Sequence, residues 1–161
     1  MDKKLHKTFI ELINHELYSS YLYLAMAAYS ESIDLPGFAK WLQAQAKEET
    51  AHGMKMFEFL IERGERVELG AIAKPPVDFG AALDIFKAVL AHEKKVTGLI
   101  HNLYGVAQKV DDPAAAIFMQ WFVTEQVEEE KHANEIIALL QRIKPDSGQI
   151  LMIDHQLGKR E

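Results

Sequence analysis

Four stretches of roughly 30 residues, each with apolar side chains at i, i+3, i+4 and i+7, fill most of this chain. That pattern leaves one architecture, long helices packed side by side. The helix breakers fall between the stretches. Pro36-Gly37, Gly64, Pro75-Pro76, Gly80, Asp112-Pro113, Pro145 and Gly148 mark boundaries, and with only 5 prolines and 9 glycines in all, few remain to interrupt a helix. The period predicts helices over about 4–32, 36–63, 80–109 and 112–144, and no segment reads as a strand. Asp112 followed by Pro113 is a start signal, a capping carboxylate ahead of a residue suited to the first turn. After Lys144-Pro145, Asp146 or Ser147 is placed to cap a short fifth helix over about 147–158.

Helices of this length reach about 45 Å. The first and second are joined by a short connection, as are the third and fourth, so each pair forms an antiparallel hairpin. The connection between the second and third, about 64–79, is long enough to run the length of the bundle when extended. The expected fold is all-α: an up–up–down–down four-helix bundle with one long crossover, in a single domain spanning 1–161. Without cysteine, the chain has no disulfide, thiol catalysis, iron–sulfur cluster or thiolate zinc site. Its 24 acidic against 18 basic residues give a net charge of −6, and no basic run is present, which argues against nucleic-acid binding. The longest uncharged stretch, around Leu17–Ser30, is too short and too rich in hydroxyls to cross a membrane. The N-terminal residues lead into polar-interrupted helix rather than an apolar signal segment. These features are those of a cytoplasmic protein.

Shifting the chain against itself by 77 residues lays His15-Glu16 on His92-Glu93, Glu48-Glu49 on Glu125-Gln126, and His52 on Glu129. Similarity along this register is otherwise poor, so chance alignment of common residues competes with a pseudo-twofold site. Position favours the site. Glu16, Glu49, Glu93 and Glu129 lie in mid-helix, away from ends where caps or dipoles would account for them. Residues 49 and 52 share a helix face, as do 126 and 129. Around Glu16, residues Leu12, Ile13, Leu17, Tyr23 and Leu24 contribute to an apolar stripe, and burying an uncompensated carboxylate there costs several kcal/mol. Two divalent cations would balance the four glutamates, and neutral His52 adds a nitrogen ligand. Mixed carboxylate and imidazole ligation suits iron, manganese or zinc. Glu49-x-x-His52 alone is a common pattern; with glutamates at the same depth on three other helices it points to a dinuclear site.

Several motifs resemble those of bacterial non-haem ferritins over nearly the whole chain. They are Asn14-His-Glu-Leu-Tyr-Ser-Ser-Tyr-Leu-Tyr-Leu24, Glu48-Glu-Thr-Ala-His52, Glu62-Arg-Gly-Glu-Arg-Val67, His92-Glu93 and Trp121-Phe-Val-Thr-Glu-Gln-Val-Glu-Glu-Glu130. The resemblance implies a hollow shell of about 24 subunits, as in that family, which oxidises Fe(II) with O2 or peroxide and stores ferric mineral. It assigns one iron to Glu16, Glu49 and His52, and a second to bridging Glu49, Glu93 and Glu129 with Gln126 close by. A third, weaker iron site draws on Glu48, Glu125, Glu128 and Glu129. Tyr23 matches the tyrosine beside the diiron centre, and Trp121 its neighbouring tryptophan. Thr50 stands where haem-binding relatives carry a ligating methionine, so no haem is expected.

Gln126-Val-Glu-Glu129 replaces a second Glu-x-x-His, which makes the expected centre asymmetric. An alternative register, Glu129-Glu-Lys-His132, would restore the symmetric motif. His15 and His92 are expected at the surface or an interface, Met26, Met54, Met56 and Met119 in the core, and Glu130 in solvent. The competing function is a rubrerythrin-like diiron or dimanganese peroxidase without storage, which would normally carry a cysteine-rich tail. In the fifth helix, Ile150, Leu151, Ile153 and Leu157 form an apolar face, expected to pack on symmetry mates rather than as a lid on its own bundle; the ferritin resemblance places such helices around fourfold axes.

Overall fold

Five helices make up the computed structural model: α1 (Lys3–Ser32), α2 (Pro36–Glu62), α3 (Ala82–Lys109), α4 (Pro113–Leu140) and α5 (Ile150–Leu157). It describes residues 1–145 and 147–160, and among these no residue is in a strand. α1 packs on α2 and on α3, and α3 on α4. One apolar cluster joins Leu5 and Phe9 at the start of α1 with Leu60 at the end of α2, Leu103 at the end of α3 and Met119 near the start of α4. Hence α1 and α4 run one way and α2 and α3 the other, an up–down–down–up order rather than the expected up–up–down–down: each short connection reverses the chain, and the long crossover restores the direction of α2 in α3. The crossover between α2 and α3 runs beside α1: Asn14 donates to the Ala71 carbonyl and accepts from Gly70 N–H, both at 3.0 Å, and Tyr29 donates to the Gly80 carbonyl.

The helix ends follow local chemistry. Asp2 caps α1, and Asp112 caps α4 by accepting from Ala115 N–H at 3.0 Å with Pro113 in the first turn, as expected. Both Asp112 carboxylate oxygens also accept from Arg63 Nη1, at 3.0 and 2.8 Å, tying the end of α2 to the start of α4. α3 begins two residues later than the period suggests, because Gly80 sits at φ +80° and Asp84 accepts from Ala81 N–H. α4 ends at Leu140 rather than near 144; Pro145 supplies no amide proton and disfavours a helical Lys144. α5 is shorter than expected. Ser147 donates its hydroxyl to the Lys144 carbonyl instead of capping, and Asp146 lies outside the described residues.

The expectation that α5 saves its apolar face for other subunits is corrected. Ile153 and Leu157 are buried in the core of their own chain and Ile150 packs against it; Leu151 and Met152 remain outside. α5 is latched onto α2. Asp154 accepts from Phe38 N–H at 2.9 Å, capping a helix whose own N-cap residue, Leu35, makes no side-chain bond. The contact is close enough to require Gly37: a Cβ there would lie 1.8 Å from the Asp154 carbonyl oxygen. Gly37→Ala should therefore force α5 off and expose Ile153 and Leu157, a loss of about 2–4 kcal/mol. In thermal unfolding this appears as a melting temperature lower by roughly 5–10 °C. Gly98→Ala, in mid-helix with nothing within 4 Å of the new Cβ, should leave it unchanged or higher. Equal melting temperatures for the two variants would contradict the latch.

Two further expectations change. Met26, Met56 and Met119 are buried but Met54 is 43% exposed, and Leu24, placed by periodicity in the stripe around Glu16, is 48% exposed. Both lie on outer faces of helices that in the isolated chain have no neighbour.

Candidate metal centre

A polar layer separates two apolar clusters of the bundle. On one side lie Tyr23, Phe38, Leu42 and Phe86; on the other, Phe9, Ile13, Met56, Ile100 and Phe122. Between them, α1 contributes Glu16, α2 contributes Gln45, Glu49 and His52, α3 contributes Glu93, and α4 contributes Gln126 and Glu129, all buried. Each is surrounded by helices on several sides, so water cannot solvate the charges.

Among the described residues, ligand atoms converge in three groups. Glu16, Glu49 and His52 each offer one within 4.8 Å of the others; so do Glu49, Glu93 and Glu129; so do His52, Glu125 and Glu129. Glu49 belongs to the first two groups, the geometry of a bridging carboxylate. The repeat pairs the same residues: Glu16 answers Glu93 and His52 answers Glu129 across the bundle.

The electrostatics are those of a site with charge to neutralise. Neither carboxylate oxygen of Glu16 has a hydrogen-bond partner. Burial, with Glu49 adding like-charge repulsion, raises the Glu16 carboxyl well above its ordinary range. The same two causes push Glu93 up to about 8 and Glu129 up to about 7. Glu49 moves the other way: burial would raise it, but His52, with Nδ1 3.4 Å from Glu49 Oε2, holds it low. Burial correspondingly opposes the charge on His52, and bonding to Glu49 outweighs it and raises the imidazole. One carboxylate is thus kept ionised at the centre of four.

Neighbouring groups orient the carboxylates. Tyr23 donates its hydroxyl proton to Glu93 Oε1, and Gln126 Nε2 donates to Glu93 Oε2 at 3.1 Å and lies 3.2 Å from Thr97 Oγ1. Gln45 Nε2 donates to Glu49 at 2.9 Å and to Glu129 at 2.7 Å. Trp121 sets its ring edge-on to His52, centroids 5.4 Å apart, with the Lys55 ammonium 3.6 Å above the indole.

The four mid-helix glutamates and His52 therefore come together as the sequence suggests, with Tyr23 and Gln126 beside Glu93. Of the residues assigned to a third site, Glu125 and Glu129 meet His52, while Glu48 and Glu128 are exposed and lie outside that group. His132 is exposed, which removes the alternative register. His15 and His92 are corrected. They stack on each other with centroids 5.4 Å apart, and His92 is buried against Ser19 Oγ at 2.7 Å rather than at the surface. Glu130 is half-buried and accepts from Thr97 at 2.7 Å rather than facing solvent alone. Gln45 and Thr97 were missed by sequence reasoning. Gln45 precedes Glu49 by four residues and so shares its face, a signal that was present.

A ferritin-like domain model matches residues 7–143 of the chain. The chain belongs to the ferritin-like family. Bacterial non-heme ferritin of Staphylococcus aureus (strain USA300) is 37% identical over 160 residues, covering 99% of this chain and 96% of that protein. The corresponding protein of Staphylococcus haemolyticus (strain JCSC1435) is 38% identical over the same span. Among solved structures, an open pore ferritin from the hyperthermophilic archaeon Archaeoglobus fulgidus superposes with a TM-score of 0.98 at 43% identity, over 100% of this chain and 99% of that one. A closed form of the same ferritin, engineered by site-directed mutagenesis, has the same TM-score and identity. For a ferritin-like chain the donor set is apt: hard carboxylates with one imidazole suit iron, and the unpartnered Glu16 oxygens leave ligand capacity free. Among the described residues, no helix is long and apolar enough to cross a membrane.

Proposed function

We propose that this chain is an iron-storage ferroxidase whose substrate Fe(II) occupies two adjacent positions, Glu16/Glu49/His52 and Glu49/Glu93/Glu129. The observation that carries this reading is the shared Glu49, which brings two ligand groups to one buried point together with a carboxylate, Glu16, that no protein donor satisfies. Two Fe(II) ions give up one electron each. With O2 as oxidant, both electrons and two protons leave hydrogen peroxide; with peroxide, the same electrons and protons yield two waters. Hard anionic ligands favour Fe(III) over Fe(II), which assists the oxidation. Protons held on Glu93 and Glu129 leave as cations bind. Tyr23 supplies a proton donor to Glu93, and Gln126 a second, so that carboxylate is aimed from the outset.

The group His52, Glu125 and Glu129 supports a third, weaker iron position on the way out of the centre, with Glu48 and Glu128 farther toward the surface. We infer a cytoplasmic shell of about 24 such single-domain subunits, the closed assembly that the family resemblance implies. Exposed Tyr21, Leu24, Val77, Leu151 and Met152 offer apolar surface for subunit contacts. Similarity over nearly the full chain to proteins named as ferritins favours storage over a rubrerythrin-like enzyme.

Stopped-flow mixing with oxygenated buffer tests the reading. Rapid oxidation should saturate at about two Fe(II) per subunit, followed by slower accumulation of ferric mineral in a particle of several hundred kDa. A dimer that oxidises Fe(II) without retaining it would refute storage.

A further inference from the structure

We propose that Arg160, beyond the last helix, is a positioning residue of the metal centre: it fixes the amide of Gln45 so that both Nε2 protons point at Glu49 and Glu129. The inference rests on the ferroxidase reading above and concerns which residues hold its ligands in place.

Arg160 lies far from the centre in sequence but close in space. The α5 latch, Asp154 on Phe38 N–H and Gly158 against Gly37, sets the chain end beside the start of α2. A final turn, Arg160 N–H to the Leu157 carbonyl at 3.2 Å, returns the side chain over α2. There the guanidinium meets three residues of one helical stripe. Its central carbon is 4.4 Å from the Trp41 ring centroid, Nη1 donates to Gln45 Oε1 at 2.8 Å, and Nη2 donates to Glu48.

Donor chemistry makes this contact directional. Arginine has five N–H groups and no acceptor, so it can donate only to the oxygen of an amide and cannot pair with its NH2. Gln45 is buried, and its two ends are nearly equal in shape. Turned the other way, it would set its oxygen against two carboxylates and its NH2 against a cation. With Arg160 in place the amide has one orientation, and its Nε2 reaches Glu49 Oε1 at 2.9 Å and Glu129 Oε2 at 2.7 Å. These two glutamates include the bridging residue and the one that also joins His52 and Glu125. Aim lost at Gln45 therefore affects more than one cation position. Glu48, expected from the sequence to hold a third iron, instead anchors Arg160 together with Trp41.

Anaerobic Co(II) titration of the assembled protein, read by equilibrium dialysis and by the visible ligand-field spectrum, tests the proposal without turnover. The parent should bind two Co(II) per subunit. Arg160→Ala should weaken binding by about tenfold, the scale of residues that orient metal ligands, and shift the spectrum, while melting close to the parent temperature. Arg160→Lys keeps the charge but not the planar fork that spans Gln45 and Glu48 on the Trp41 ring, so it should recover only part of the loss and bind Co(II) with an affinity between those of the parent and Arg160→Ala. Because Arg160 acts through Gln45, Arg160→Ala/Gln45→Leu should bind no more weakly than Gln45→Leu alone. The proposal is overturned if the parent binds two Co(II) and Arg160→Ala matches it in affinity and spectrum, or if the double variant shows both losses in full. A parent that binds no Co(II) would overturn the ferroxidase reading as well.

Discussion

Glu49→Ala should lower the initial rate of Fe(II) oxidation on the order of a hundredfold or more, with folding and assembly intact. Residues that merely support a metal ligand are worth about 10–100-fold in affinity, and Glu49 offers a ligand atom to both of the groups proposed to hold a cation. His52→Ala removes a donor from only one of them, so it should retain a single tight cation while losing paired oxidation. The stability change has the opposite sign to the activity change. Glu49 is a source of the repulsion that raises Glu16, Glu93 and Glu129, and removing it relieves all three. The metal-free Glu49→Ala protein should then melt no lower than the parent, and zinc should no longer raise its melting temperature. Unchanged initial rates in both variants would remove the assigned centre.

The bundle was legible because its signal is repeated. Four runs of helical period bounded by Pro and Gly fix helix number and length, and a capping pair such as Asp112-Pro113 fixes an end almost to the residue. Ends without such chemistry drifted. α4 and α5 differ from expectation around Lys144–Gln149, where a turn rather than a cap decides the boundary. The centre was legible for a related reason: a carboxylate in mid-helix on an apolar stripe has few explanations. Periodicity says which residues share a face but not which face meets a neighbour. It placed Leu24 inward, although that residue is exposed, and placed His92 outward, although Ser19 and His15 enclose it. Contacts between distant parts of the chain were beyond reach. Nothing local to Gly37 announces Asp154, and nothing local to Arg160 announces Gln45.

Metal-free protein should lose stability as pH rises from about 5 to 8.5 and regain it when a redox-inert cation such as Zn(II) is added. In the unfolded chain the glutamates titrate near 4.3; folded, Glu129 titrates at about 7 and Glu93 at about 8, with Glu16 also raised. A carboxyl whose pKa is raised by folding adds stability below its unfolded value, and that stability is lost as pH climbs through the folded one. His52, raised on folding, acts in the same direction, being favoured in the folded state while protonated. Glu49 is lowered and contributes the opposite slope only in the acid range, so the optimum should fall near pH 5. The coupled groups together should be worth on the order of 3–6 kcal/mol across the window, roughly 10 °C in melting temperature for a chain this size. Zn(II) can bind only as these carboxyls deprotonate, so its binding near pH 6.5 should release protons and its stabilisation should be greatest at the alkaline end. Glu129→Gln, which mimics the protonated acid, should flatten the slope and stabilise the metal-free protein at pH 8. A metal-free melting temperature that is level or rising from pH 5 to 8.5 would show that the buried carboxyls are already compensated, and that the centre is not held ready for cations.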